Sequence, residues 1–321
     1  MNKNSFKIQP SLLSLIFFFG LLSLNLLAKN TYTYSSEQKI IFDVFGWDFN
    51  NFSVRTQKLN DQTYVLYGYG GNILVSIGED GVLMVDDQFP DIADDILDEV
   101  KSLGGSMVDV IINTHWHFDH SEGNRAFGPK GALIIAQENS RDYMINPKPI
   151  NMVNSVYPQQ PYKGKEVAKV TFKDSMTLHF NNEHFELLHY GPAHTTGDAA
   201  IYLKNSNILH LGDVLNTQVA YIDSDNGGSI DGMIHFMRST LKVINAETII
   251  VPGHGEVTSY NSYVEFINNL ESFRGDLKEM IGNGNGFIEI AKNNPAIKYS
   301  KVLGDPVLVL DRAYASIMKN N

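Results

Sequence analysis

The sequence predicts one α+β domain of short, mostly antiparallel strands that ends in a helical tail. Three observations predict it. From Thr63 onward, β-prone runs alternate with strong turn chemistry, which is the signature of hairpins. Residues 91–103 switch to helical spacing and lead into an apolar run at 108–112. A second strand-rich stretch, 167–211, repeats the theme before helical periodicity takes over near residue 262. At 321 residues the chain can bury a substantial core, and no internal repeat or low-complexity linker divides it.

Residues 1–28 read as a secretory leader rather than as part of the fold. Lys3 and Lys7 precede an apolar run from Leu12 to Ala28, which ends on a small residue. Ser14, Gly20, Ser23 and Asn25 interrupt the run, so a stable membrane anchor is the weaker reading. The expectation is a periplasmic or secreted protein whose mature form begins near Lys29. Residues 29–60 then form an N-terminal extension, 61–260 the main domain, and 261–321 a C-terminal helical extension.

Within the main domain, Tyr64–Tyr67, Ile73–Ile77 and Val82–Val85 read as successive strands. The turns Gly68–Asn72 and Gly78–Gly81 separate them. Ile92, Ile96, Leu97, Val100 and Leu103 then share one helical side, with acids opposite. Val108–Ile112 reads as a buried strand, and Asn113 opens a loop. The stretch Gly227–Met233 reads as a turn on the substrate side leading into a helix, with Asp231 as its cap. The aromatic group Phe42, Phe45, Trp47, Phe49 and Phe52 reads first as packing. As a pocket rim it would favour an apolar acyl or lactone group.

A hydrophobic content of 43% with 19% charged residues is that of a globular protein. The formal net charge is −11, and loss of Lys3 and Lys7 with a leader makes the mature chain more acidic still. Such a surface repels phosphate backbones, so the expected partner is a small-molecule substrate and not a nucleic acid. The absence of cysteine suits an oxidising compartment and removes both a lipid-anchoring thiol and any thiolate ligand.

The chemistry is carried by His115-Trp116-His117-Phe118-Asp119-His120, directly after an apolar strand. In an extended turn His115 and His117 point to one side and can grip one metal ion, while Asp119 and His120 reach a second. A hydrolytic zinc typically keeps three protein ligands and one open position, so further donors are needed. Three strand ends supply them. His194 sits in the turn Gly191–Asp198, Asp213 follows Leu211-Gly212, and His254 lies between Gly253 and Gly255. His179, His184, His189, His210 and His235 fall outside these motifs and read as structural or surface residues.

The run His115 to His120, followed by His194, Asp213 and His254, resembles the motif series of the metallo-β-lactamase superfamily over roughly residues 60–260. The resemblance implies a four-layer αββα sandwich with the site at one edge of two sheets. It implies that His115, His117 and His194 bind one ion, that Asp119, His120 and His254 bind the other, and that Asp213 bridges them. Asp86 would orient a ligand from behind. Two Zn²⁺ are the default for these nitrogen and oxygen donors, with iron or manganese as alternatives. Paired divalent ions make bound water acidic enough to attack at neutral pH, and Asp119 would orient it and shuttle a proton.

The β-lactamase groups that need a cysteine ligand are excluded. The remaining group, class B3, shares most of this donor set but normally lacks a bridging aspartate. Asp213 instead resembles the pattern of thioesterases, lactonases and phosphodiesterases. The expected activity is hydrolysis of an ester, lactone, thioester or related bond, with a B3-like β-lactamase as the alternative. A mononuclear iron thiol oxidoreductase is a lesser one, since relatives of that kind lose second-site ligands that are present here.

Overall fold

The computed structural model describes residues 32–319, so the expected leader lies outside the described residues. The chain enters through helix α1 (Ser36–Phe45), which a capping box opens: Ser35 Oγ accepts from Gln38 N–H, and the Gln38 side chain accepts from Ser35 N–H. Gly46, at φ 68°, closes it with the left-handed turn that glycine adopts without steric cost.

Strands β1 (Arg55–Lys58), β2 (Thr63–Tyr67), β3 (Ile73–Gly78) and β4 (Gly81–Val85) form an antiparallel meander. Helix α2 (Ala93–Ser102) crosses over to β5 (Val110–Ile112). A short helix α3 (Phe118–Ser121) and α4 (Asn124–Lys130) lead to β6 (Leu133–Gln137), followed by α5 (Glu138–Ile145). A two-stranded hairpin, β7 (Ile150–Asn151) with β8 (Val156–Tyr157), precedes β9 (Val170–Phe172). The first sheet has the order β1-β2-β3-β4-β5-β6-β9, parallel from β4 onward.

The second sheet runs β10 (Ser175–Phe180), β11 (Glu183–Leu188), β12 (Ala200–Leu203), β13 (Ile208–His210), β14 (Ile249–Val251) and β15 (Thr258–Ser259) in that order. Helix α6 (Ile230–Thr240) carries the chain from β13 to the parallel β14. Helices α7 (Tyr260–Gly282), α8 (Phe287–Lys292), α9 (Ser300–Leu303) and α10 (Pro306–Lys319) complete the chain. Among the described residues, no helix is long and apolar enough to cross a membrane.

Strand alternation assigns the layers. Along β4, Leu83 and Val85 face the second sheet and meet a core that includes Phe185, Leu187 and Ile201. Val82 and Met84 face the other way, onto Ile96 and Val100 of α2. Leu209 and Ile250 likewise turn outward, onto Phe236 of α6 and Phe273 of α7. Two sheets packed face to face with helices on both outer faces make an αββα sandwich, as expected.

One local expectation is corrected. Helix α6 is capped by Ser229, whose Oγ accepts from Gly232 N–H, and not by Asp231. Asp231 lies in the first turn, turned toward α7, where it pairs with Arg274 and Lys278 at 2.8 Å each. Serine and aspartate cap equally well, and here the pairing of Asp231 with Arg274 and Lys278 on α7 leaves the cap to Ser229.

Candidate metal centre

The donors leave the two sheets at one edge. Asp86 follows β4, His115 follows β5, His194 lies between β11 and β12, Asp213 follows β13, and His254 follows β14. The His115 run does not remain extended throughout: His117 is the N-cap of α3, so Asp119 and His120 stand on its first turn. All seven expected donors converge. His115, His117 and His194 form one group, Asp119, His120 and His254 another, and His115, His120 and Asp213 a third; within each group the donor atoms lie within 4.8 Å of one another. Asp213 thus sits beside one histidine of each set.

Three of the imidazoles, those of His194, His117 and His120, are held from behind, which fixes the nitrogen each presents. His194 Nδ1–H donates to the Tyr221 carbonyl at 2.9 Å, leaving Nε2 free. The Asp223 carboxylate accepts from His117 Nε2 at 2.9 Å, leaving Nδ1 free. Those two free nitrogens face each other at 2.9 Å. Two neutral lone pairs at that distance repel, so the pair requires a proton or a cation between them. His115 Nε2 is buried with no hydrogen-bond partner, another donor aimed at the same space. On the opposite side, Asp86 Oδ2 accepts from His120 Nδ1 at 2.8 Å, and His120 Nε2 faces His254 Nε2 at 3.2 Å. These orphaned and opposed donors fit metal ions.

The charges agree. Burial, reinforced by the neighbouring imidazoles, holds His115 well below its usual range, and burial with His117 beside it lowers His194. Both therefore favour the neutral form, the one with a free lone pair to offer a metal. Burial opposes charge on His120 and His254 too, but Asp213 and Asp119 outweigh it and raise both. Asp213 is buried, yet His254 and His120 hold its carboxyl well below the usual range. His254 Nε2 lies 3.0 Å from Asp119 Oδ2, and His120 Nε2 lies 3.2 Å from Asp213 Oδ1.

Close backbone approach makes room for this packing. A Cβ at position 71 would lie 2.1 Å from His120 Cε1, and one at 253 would lie 2.0 Å from Asp213 Oδ1. Only glycine fits at either place. Asp86 itself has φ 62°, a left-handed conformation costly for a side-chain-bearing residue. Its carboxylate holds it there, accepting from Thr114 N–H at 2.7 Å and Thr114 Oγ–H at 2.8 Å as well as from His120.

Several supporting residues are not evident from the motifs. Asp223 and the Tyr221 carbonyl orient two histidines from one loop, though nothing adjacent in sequence marks that loop. Asn72 laces the β2–β3 turn to the His254 turn, donating to the Pro252 carbonyl at 2.9 Å and to the Gly255 carbonyl at 2.8 Å. The turn Gly68–Asn72 hinted at such a role only through its position. His210 is structural, as expected: it is buried and bonded to the Asn72 carbonyl at 3.0 Å.

A cavity of about 380 Å³ opens onto His117, Asp119, Asp213 and His254. Phe45 and Trp47 line it, whereas Phe42 is buried in the core. The aromatic group therefore divides between packing and rim. The turn Gly227–Met233 contributes nothing to its walls, contrary to the expectation of a substrate-side loop.

Fold and site together define a metal-binding αββα sandwich. The profile of the metallo-beta-lactamase superfamily matches residues 66–262, and the chain belongs to that superfamily. A probable metallo-hydrolase of Methanocaldococcus jannaschii is 25% identical over 201 residues, which is 60% of this chain and 90% of that protein. The alpha subunit of the 2,4-dinitroanisole O-demethylase of Nocardioides sp. (strain JS1661) is 28% identical over 115 residues, 36% of this chain; the match spans only 31% of that subunit. The metallo-beta-lactamase from Pontibacter korlensis superposes with a TM-score of 0.55 at 17% identity, covering 68% of this chain and 99% of that one. The DIM-1 metallo-beta-lactamase gives 0.55 at 19% identity, covering 68% and 98%. At that identity the structural likeness speaks for the fold alone.

Proposed function

We propose that the chain is a hydrolase that holds two divalent ions, zinc by default, and cleaves an ester, lactone, thioester or related bond in a small molecule. The observation that carries this reading is the position of Asp213, grouped with one histidine from each three-donor set. His115, His117 and His194 would hold one ion, Asp119, His120 and His254 the other, and Asp213 both. When bound, the ions supply Lewis acidity and a water acidic enough to act as nucleophile near neutral pH.

The chain's own groups supply orientation and proton handling. Asp223, Asp86 and the Tyr221 carbonyl fix the imidazoles, so little reorganisation is needed at the moment of reaction. Asp119 borders the cavity with its side chain 15% exposed, against 0% for His120 beside it. That exposure supports Asp119 as the carboxylate that would accept a proton at the substrate and return it to a leaving group. A carboxylate shared between ions lowers their Lewis acidity, which favours activated esters over amides.

Protein expressed in zinc-supplemented medium should contain close to two metals per chain by elemental analysis. It should hydrolyse lactone or activated-ester probes faster than cephalosporins. A reproducible content near one metal with full activity would overturn the dinuclear reading, and one iron per chain would point to the oxidoreductase instead.

The charged start and apolar run of residues 1–28 support export, with the main domain at 61–260 between the two extensions. Amino-terminal sequencing of exported protein should begin near Lys29. An intact Met1 on cytoplasmic protein would contradict it.

A further inference from the structure

The cavity over the donor cluster is walled in part by residues outside the stretch 66–262 that matches the superfamily. Val44, Phe45 and Trp47 come from the N-terminal segment and Leu308 from α10. The local sequence explains how they arrive there. Gly46 turns the chain at the end of α1, Trp47 N–H bonds back to the Phe42 carbonyl at 2.9 Å, and the indole swings over the site.

Trp47 is then fixed on both sides. It stacks on Phe45, with centroids 4.8 Å apart and planes 18° apart, and lies 5.1 Å from the fully buried Phe89. Phe118, between the donors His117 and Asp119, is 6.2 Å away. An apolar surface thus leads from the rim directly to the donors. Ile150 and Met152 of the β7–β8 hairpin face into the same cavity. Among the described residues, the lining holds no lysine or arginine; its polar groups beyond the donors are neutral, such as Asn154, Ser155 and Gln218. The neighbouring Arg55 is occupied, paired with Glu256 at 2.6 Å and laid over the Tyr67 ring.

We propose that this cavity is a subsite for the neutral, apolar acyl arm of the substrate, and that the N-terminal segment and α10 set its length preference. The inference rests on the hydrolase reading. A pocket of about 380 Å³ is small, mostly apolar and without a cation for a distal carboxylate or phosphate, so a neutral acyl chain matches it best. Each methylene that enters should raise kcat/KM by roughly two- to fourfold, the value expected for burying that group.

The test uses the full zinc-loaded chain with p-nitrophenyl acetate, butyrate and octanoate. Wild type should show kcat/KM rising along the series, and an ω-carboxylate on the octanoyl chain should erase the gain. Phe45→Ala and Trp47→Ala should each lower the octanoate-to-acetate ratio tenfold or more. Phe45 is 46% exposed, so its truncation leaves folding intact even where Trp47→Ala does not. A second arm needs no turnover: 1-octanol should bind saturably by tryptophan fluorescence, 1-propanol should not, and Phe45→Ala should weaken octanol tenfold. A flat ester series, a preference for the anionic chain, or variants with unchanged slope and octanol binding each overturn the subsite. Octanol binding without turnover of these esters, of a lactone or of a thioester leaves the subsite standing and overturns the hydrolase reading.

Discussion

Asp213→Ala is expected to yield a folded protein that has lost metal and with it most ester or lactone turnover. Asp213 Oδ1 lies 3.2 Å from His120 Nε2 and 3.6 Å from His254 Nε2, and Asn216 Nδ2 donates to its Oδ2 at 3.1 Å. Removing this carboxylate withdraws the one negative group grouped with both histidine sets. Two cations would then repel each other with less shared charge between them. Loss of a ligand or its support commonly costs 10–100-fold in affinity or activity, and a shared ligand should reach the upper end of that range for the second ion. Folding should survive, because most of the three apolar cores lies between and outside the sheets, although residues flanking the donors, such as Trp116 and Leu211, belong to them. A lactamase-like site of the B3 kind works without this carboxylate and would respond little. The measurements are metal content, melting temperature, and turnover of a lactone and a cephalosporin for wild type and variant. Retention of two metals and of both activities would show that Asp213 is not a ligand.

The α+β pattern and the seven donor positions are legible because both rest on local pattern, whereas the four-layer arrangement and the grouping of the donors come from the resemblance. Turn residues between β-prone runs mark hairpins wherever they occur, and the His115–His120 run packs its chemistry into adjacent positions. The strand ends at Asp213 and His254 were readable because an apolar run followed by glycine announces a tight loop. What stayed hidden was what depends on contacts distant in sequence. Asp223 acts on His117 across 106 positions, and Asn72 reaches Gly255 across 183. No periodicity encodes such pairs. The cap of α6 went wrong for a different reason: Ser229 and Asp231 are both good caps, and only the partners on α7 decide between them. Trp47 was undecidable in the same way, since an aromatic that packs and one that lines a cavity have the same composition.

Asp223→Asn carries the second large expected effect, on the three-histidine site. The Asp223 side chain is fully buried and makes two kinds of bond: it accepts from His117 Nε2 at 2.9 Å, and its two oxygens accept from Asn226 Nδ2 at 3.1 and 2.8 Å. The carboxylate fixes the His117 tautomer and so leaves Nδ1, the nitrogen turned toward His194, as the free donor. Asparagine keeps the size but loses the charge. One orientation of its amide still accepts from His117, while the other presents a donor to Nε2 and favours the wrong tautomer. Affinity at this site should therefore fall 10–100-fold while the Asp119–His120–His254 group keeps its own. The readout is stepwise metal loss in competition with a graded chelator, together with the absorption spectrum of the cobalt-substituted protein, which reports ligand geometry without any turnover. Asp223→Ala should lose more, because it leaves His117 Nε2 buried without its acceptor and Asn226 Nδ2 with the Pro149 carbonyl alone. If both variants release their metals at the chelator concentrations that strip wild type, His117 does not depend on Asp223 and the three-histidine group is held by its own packing.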